Sequence, residues 1–207
     1  MNYNTSDSLW RIEMSKVKEK QLRRRSEIIE AVIPLIASVP FDALSVNEIC
    51  LSAGISVGSF YHYFEKKSDL LVGLLGLIDE YLEAEVYPRL GEGTATDKLF
   101  RFALEWARYV EAHGIERSKL ISSVAPANTD LGGQKRSSLI YLEKLMSEGQ
   151  AEFCISSEHS PESLAELYLL ALRAITTDWS RQGGSYSIVE KMEVFISIWL
   201  KGIAPIK

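Results

Sequence analysis

The sequence predicts an all-α fold, a small helical head followed by a larger helical body. Apolar residues recur at three- and four-residue spacing through most of the chain, helix-starting and helix-stopping residues fall between those runs, and no segment sustains strand alternation. With 207 residues, 46% hydrophobic and 25% charged, the chain has the composition of a globular protein. That composition excludes disorder, collagen and a coiled-coil rod.

Residues 1–16 are polar apart from Trp10 and lack clear periodicity, which predicts a flexible arm. From Val17 the pattern changes. Leu22, Ile29, Val32, Ile33 and Ile36 share one stripe, with Lys18, Lys20, Arg23, Arg24 and Arg25 crowding the first turns. Pro34 lies inside this helix and removes one hydrogen bond, and Pro40 ends it. Ser45 with Glu48 forms a capping-box pattern for a short helix from Val46 to about Ala53. Gly54 stops that helix, and Ser56 caps a second from Val57 to Phe64. Two short helices joined by a glycine-led turn of three residues have the layout of a helix-turn-helix.

Ser68 opens a longer helix carrying Leu70, Leu71, Leu74, Leu75, Ile78 and Leu82. Thr94 or Thr96 opens the next, which carries Leu99, Phe102, Trp106 and Tyr109 and stops at Gly114, with a brief helix after it through Leu120 and Ile121. Pro126–Lys135 reads as a loop, and Leu139, Leu142, Leu145, Met146 and Phe153 mark another helix. Ser160 and Pro161 begin a helix reaching Trp179, and Ser185 is the expected cap of the last one. These two helices are apolar nearly all round, more than one small chain covers by itself. The reading is a homodimer in which Leu164, Leu167, Ala171, Ile175, Met192, Phe195, Ile198 and Trp199 form a bundle across a two-fold axis. The alternative is that they only close the monomer core.

The second short helix divides into two faces. Ile55, Phe60 and Phe64 point inward, while Val57, Ser59, Tyr61 and His62 are available outside. A helix with small residues at its leading end fits a major groove of ~12 Å end first. Gly58 allows close approach to a phosphate, and the amides of Val57, Gly58 and Ser59, led by the cap Ser56, favour an anion. Tyr61 and His62 can donate to phosphate oxygens, and Ser45 and Lys67 stand where they would clamp the backbone on either side. YHYF as mere aromatic packing is the competing reading, but Tyr61, His62 and Tyr63 cannot all face inward. The run Arg23–Arg25 is open between phosphate contact and a solvated face. Cys50 reads as a small core residue, and His113 as a partner of free carbonyls at a helix end.

The stretch SVNEICLSAGISVGSFYHYFEKKSDLL, Ser45–Leu71, resembles the DNA-binding signature of the TetR family of bacterial transcriptional repressors, with SVGSFYHYF as its most specific part. The resemblance covers about residues 18–75. Beyond it, only helix number, length and order are similar, together with DWSRQGG before an apolar helix. It implies a three-helix DNA-binding domain at 17–67 and a helical effector-binding and dimerisation domain at 68–207. It also implies DNA contact by Ser45, Ser56, Val57, Gly58, Ser59, Tyr61, His62 and Lys67, though Val57 stands where many relatives carry Lys or another polar residue. A further implication is a pocket among the central helices lined by Phe102, Trp106, Tyr109, Tyr141, Leu145, Tyr168 and Leu172. The implied partners are double-stranded operator DNA and a small-molecule effector, with the helix from Asp69 to Tyr87 transmitting between them.

Charge supports this partition modestly. Residues 1–67 hold 9 basic against 8 acidic side chains and residues 68–207 hold 14 against 20, within a net charge of −5, so the C-terminal part is no polyanion binder. Cys50 and Cys154 show no disulfide or metal spacing, no signal peptide is visible, and no run approaches the ~18 apolar residues of a membrane span, which predicts a reduced, cytoplasmic setting without a metal or other cofactor. No HExxH, GxSxG or GxxxxGK[ST] occurs, so the chain does not read as an enzyme. An all-α adaptor or an enzyme without DNA binding is the alternative.

Overall fold

The computed structural model describes residues 5–124, 130–131 and 134–205. Its described residues form eight α-helices: α1 (Thr5–Ser38), α2 (Val46–Ala53), α3 (Val57–Tyr63), α4 (Asp69–Tyr81), α5 (Ala95–Val124), α6 (Ser137–Ala151), α7 (Pro161–Arg181) and α8 (Ile188–Gly202). They pack as two units, Met1–Leu74 and Leu75–Lys207.

In the first unit α1 begins at Thr5, within the stretch expected to be a loose arm; of that arm, residues 1–4 lie outside the described residues. Leu9, Arg11, Glu13, Met14 and Lys16 are all good helix formers and no Gly or Pro intervenes, so the backbone stays helical where the apolar stripe is missing. Pro34 sits inside α1 and the helix continues to Ser38. The capping box at α2 is complete: Glu48 N donates to Ser45 Oγ, and the Glu48 carboxylate accepts from Ser45 N at 2.7 Å. These bonds hold the Glu48 carboxyl below its ordinary value. Gly54, at φ 62°, ends α2. Among the described side chains of this unit, Ile28, Ile29, Val32, Leu44, Ile49, Cys50, Phe60, Phe64, Leu70 and Leu74 are buried and apolar.

Because Leu70 and Leu74 belong to that core, the division between units falls inside α4 and not at residues 67 and 68 as the sequence suggests. Gly73 seals the attachment: a Cβ there would collide with Ile29 Cδ1 on α1.

In the second unit α4 widens into one π turn, Leu82–Val86, and a 3₁₀ turn, Tyr87–Arg89. Thr94 and Asp97 cap α5 reciprocally. The expected stop at Gly114 is present as a bend within α5, where Gly114 takes φ 81° and ψ 177°, so the brief following helix is the second arm of α5. In the loop expected at 126–135, residues 125–129 and 132–133 lie outside the described residues, and Asp130–Leu131 pairs antiparallel with Gln134–Lys135. Phe153 is not part of the α6 core as expected. It follows the end of α6 at φ 56° and is 87% exposed. The cap of α8 is Ser187, whose Oγ accepts from Glu190 N at 3.2 Å, and not Ser185, because Ser187 is the residue that meets the N3 amide.

Aromatic rings fill the centre of this unit. Tyr87 and Tyr141 stack at 3.8 Å, Phe102 lies 6.2 Å from Tyr87 and 6.4 Å from Trp106, and the buried Tyr168 hydroxyl donates to Leu99 O at 2.7 Å. Burial pushes the Tyr168 and Tyr141 phenols up. One buried ion pair ties α4 to the start of α6: Arg136 Nε and Nη2 each donate to an oxygen of Asp79 at 2.9 Å. Breaking a buried pair from one side leaves a charge uncompensated. Asp79→Ala therefore lowers the unfolding free energy by about 3–5 kcal/mol, and Asp79→Leu combined with Arg136→Met costs less than Asp79→Ala alone. Urea denaturation checks this, and a single variant as stable as the parent contradicts it.

Candidate nucleic-acid interface and effector cavity

The candidate interface is built on α3. Seven residues are too few for a helix that stands alone. Its cap is Ser56, whose Oγ accepts from Ser59 N at 3.1 Å and lies 3.0 Å from Ser59 Oγ. Phe60 and Phe64 are 0% and 2% exposed and anchor it inward, their ring centroids 5.2 Å apart. Val57, Gly58, Tyr61 and His62 are left exposed, Ser59 half so. A Cβ at Gly58 would meet only Ser56 Oγ, at 3.9 Å, so the protein's own packing does not require a glycine there.

Three expectations are corrected by hydrogen bonding. Of the three leading amides read as anion donors, that of Ser59 is taken by Ser56 Oγ, which leaves Val57 and Gly58. Ser45 faces solvent but its hydroxyl donates to the Glu48 carboxylate at 2.7 Å while accepting from Glu48 N, so it serves α2 and has a carboxylate beside it. Lys67 does not project as a free clamp. Its ammonium donates to the carbonyls of Phe41, Asp42 and Leu44 at 2.9, 3.2 and 2.9 Å and stands 4.7 Å from the Phe41 ring. A lysine has three N–H donors, and all three are spent on holding the turn that leads into α2.

Sequence reasoning missed Tyr63. It lines a cleft with Lys20, Gln21, Arg23, Arg24 and Glu27 of α1, on the open side of the same unit. Arg23 and Arg24 both reach Glu27, at 3.8 and 2.8 Å, and all three are substantially exposed. Arg25 turns the other way, 5.1 Å from the Phe64 ring with Nη2 donating to Asp69 O. The basic run thus divides into two surface cations and one internal strut.

The second unit holds a cavity of about 70 Å³ at the Gly114 bend. Trp106 and Tyr109, both expected in a pocket, line it. Phe102, Tyr141, Leu145, Tyr168 and Leu172 do not, because they fill the aromatic and aliphatic core beside it. The rest of the wall comes from residues not singled out in the sequence, among them Arg117, Ser118 and Ile121 after the bend and Arg173, Thr176 and Thr177 of α7. His113 is on the wall too, its Nδ1 2.8 Å from Tyr109 O, at a helix-end carbonyl as anticipated.

The α7 and α8 faces separate cleanly. Leu164 and Met192, read as interface residues, are 4% and 0% exposed and belong to the core of the unit. Leu167, Leu170, Val194 and Ile198 are 54–66% exposed, and Ala171, Ile175, Phe195 and Trp199 are partly so. Among the described residues no group of three His, Cys, Asp or Glu side chains is placed to hold a metal, and no helix is long and apolar enough to cross a membrane.

Residues 28–74 match the model of a family described as bacterial regulatory proteins, tetR family. The transcriptional regulator AcuR of Cereibacter sphaeroides is 27% identical over 151 residues, covering 68% of this chain and 69% of that protein. The HTH-type transcriptional repressor KstR2 of Rhodococcus jostii is 26% identical over 196 residues, 87% of this chain and 91% of that one. The crystal structure of the transcriptional regulator FadR from Bacillus subtilis, in complex with stearoyl-CoA, has the same fold. Its TM-score is 0.70 at 20% identity, over 86% of this chain and 98% of that one.

Replacing Lys67 removes a support of the α2 entry. Lys67→Ala lowers the stability of the first unit by about 1–3 kcal/mol, since three carbonyls lose a charged donor. Thermal denaturation followed by circular dichroism reads this; an unchanged melting curve contradicts the strut assignment.

Proposed function

Because residues 28–74 match the tetR family of bacterial regulatory proteins, we propose that the chain is a homodimeric repressor that binds operator DNA and is released by a small molecule. The observation that carries this reading is the division of α3 into an anchored face and an open one. With Phe60 and Phe64 buried, the helix presents Val57, Gly58 and Tyr61 outward, the arrangement a recognition helix needs to enter the major groove by its leading end.

Each exposed group then has a role set by its chemistry. Val57 offers an apolar surface suited to a thymine methyl. The Val57 and Gly58 amides and the hydroxyls of Ser59 and Tyr61 suit phosphate oxygens, as does a ring N–H of His62. Lys20, Arg23, Arg24 and Tyr63 add a cationic flank along which the backbone can run. Lys67 and Ser45 support this surface from behind.

A second copy completes the reading. The exposed stripe Leu167, Leu170, Val194 and Ile198 on two successive helices is larger than scattered surface hydrophobics, and pairing it with its own copy buries it across a two-fold axis. A dimer reads two half-sites only while its recognition helices stand one DNA turn apart, ~34 Å. A ligand that binds better to a conformation lacking that spacing releases the DNA by linkage. The chain segment shared by both units is α4, which makes it the natural transmitter.

Gel shift against DNA flanking the gene tests the reading. The parent binds with an affinity that falls steeply with salt; Tyr61→Ala weakens binding at least tenfold at unchanged helicity, and Arg24→Ala flattens the log–log salt slope by about one. Variants that bind an identified operator like the parent contradict the assignment of this face, and absence of any operator favours the adaptor alternative. Ile198→Glu yields a monomer in sedimentation and loses operator affinity, whereas a surviving dimer places the interface elsewhere.

A further inference from the structure

The cavity at the Gly114 bend has a charge that its own wall does not answer. Among the described residues lining it are three arginines, Arg117, Arg136 and Arg173, and no carboxylate. Arg136 is matched by the two-point contact to Asp79. The carboxylate that acts on Arg173 is Asp79, already held by Arg136, and the Arg173 Nε is buried without a hydrogen-bond partner. Burial, and then the neighbouring Arg136 charge, push the Arg173 guanidinium below its ordinary value, with Asp79 opposing them in part. A guanidinium does not lose its proton in a protein, so an anion seated in the cavity relieves part of the cost of burying it.

Four hydroxyls of the wall are engaged internally. The hydroxyls of Ser118, Ser122, Thr176 and Thr177 each lie 2.7–3.0 Å from a backbone carbonyl, and Thr176 Oγ1 also accepts from Trp106 Nε1. These groups have little left to offer a polar ligand body. Trp106, Val110, Ile121 and Ile78 complete the wall with apolar surface. The ligand that complements such a site has one anionic head and an apolar remainder. A cavity of about 70 Å³ restricts that ligand to a small one.

We propose that this cavity takes a small monocarboxylate, its carboxylate paired with the Arg173 guanidinium and its tail against Trp106, Val110 and Ile121. The proposal rests on the reading of the chain as a ligand-responsive regulator only for the consequence of binding. Occupancy is measured without DNA, so the two fail separately.

The experiment is calorimetric titration and thermal shift of the full chain with propionate, butyrate and pentanoate, each set against its primary amide, at concentrations to about 10 mM. At least one carboxylate binds ten times tighter than its amide, and Arg173→Gln removes that preference while Arg173→Lys keeps part of it. Equal binding of acid and amide, no binding by any of the three acids, an Arg173→Gln variant that retains the preference, or stearoyl-CoA binding where the short acids do not, each overturns it. If Arg173→Gln fails to fold by circular dichroism, the acid–amide comparison on the parent decides alone. Carboxylate binding by a chain that recognises no operator leaves this site standing and removes the regulator reading.

Discussion

A helix of seven residues has almost no stability of its own, and everything proposed for the first unit depends on how α3 is held. Nucleation is unfavourable and so short a segment has few hydrogen bonds to offset it. The burial of Phe60 and Phe64 supplies the missing free energy, roughly 1.5–3 kcal/mol for each side chain. That anchoring also decides orientation. Two inward aromatics four positions apart fix the rotation of the helix, and rotation puts Val57, Gly58 and Tyr61 outside. Ser56 closes the leading end, and Lys67 braces the turn before α2 by satisfying three carbonyls at once. The surface available to DNA is what remains when these internal requirements are met.

The second unit follows a different logic, in which a filled centre leaves a vacancy at its margin. Stacked Tyr87, Tyr141 and Phe102 consume the space where a pocket was expected. Gly114, held at positive φ, turns the last part of α5, and the cavity is lined by residues of that arm and of α7. The same arginine-rich wall that makes this corner electrostatically expensive is what suits it to a charged ligand. Asp79 answers one of those charges and in doing so joins α4 to α6, which places the cavity wall and the candidate transmitting helix in one buried network.

What was legible in the sequence was local. Ser45 with Glu48, Ser56, Ser160 with Pro161, and Gly114 announce helix ends by interactions within a few residues, and the structure has each of them. The inward and outward faces of α3 follow from periodicity alone. What was not legible depends on partners distant in sequence. Nothing near Lys67 reveals that its ammonium reaches carbonyls 23–26 residues earlier. The apolar stripe of α7 does not distinguish Leu164, turned to the core, from Leu167, turned to solvent, until the neighbouring helices are placed. Arg173 carried no local signal, because an arginine on an amphipathic helix ordinarily faces water. Ser185 against Ser187 was a choice between two good caps two residues apart, which a sequence pattern resolves poorly.

Which surface of the first unit touches a duplex is measured directly by a structure of the protein bound to its operator. In that complex α3 is expected to enter the major groove by its leading end, with Val57 against base edges, Tyr61 and the Lys20–Arg24 flank on phosphates, and the Lys67 ammonium still on its three carbonyls. A complex in which α3 stands away from the duplex, or in which Lys67 has left those carbonyls for a phosphate, contradicts that expectation.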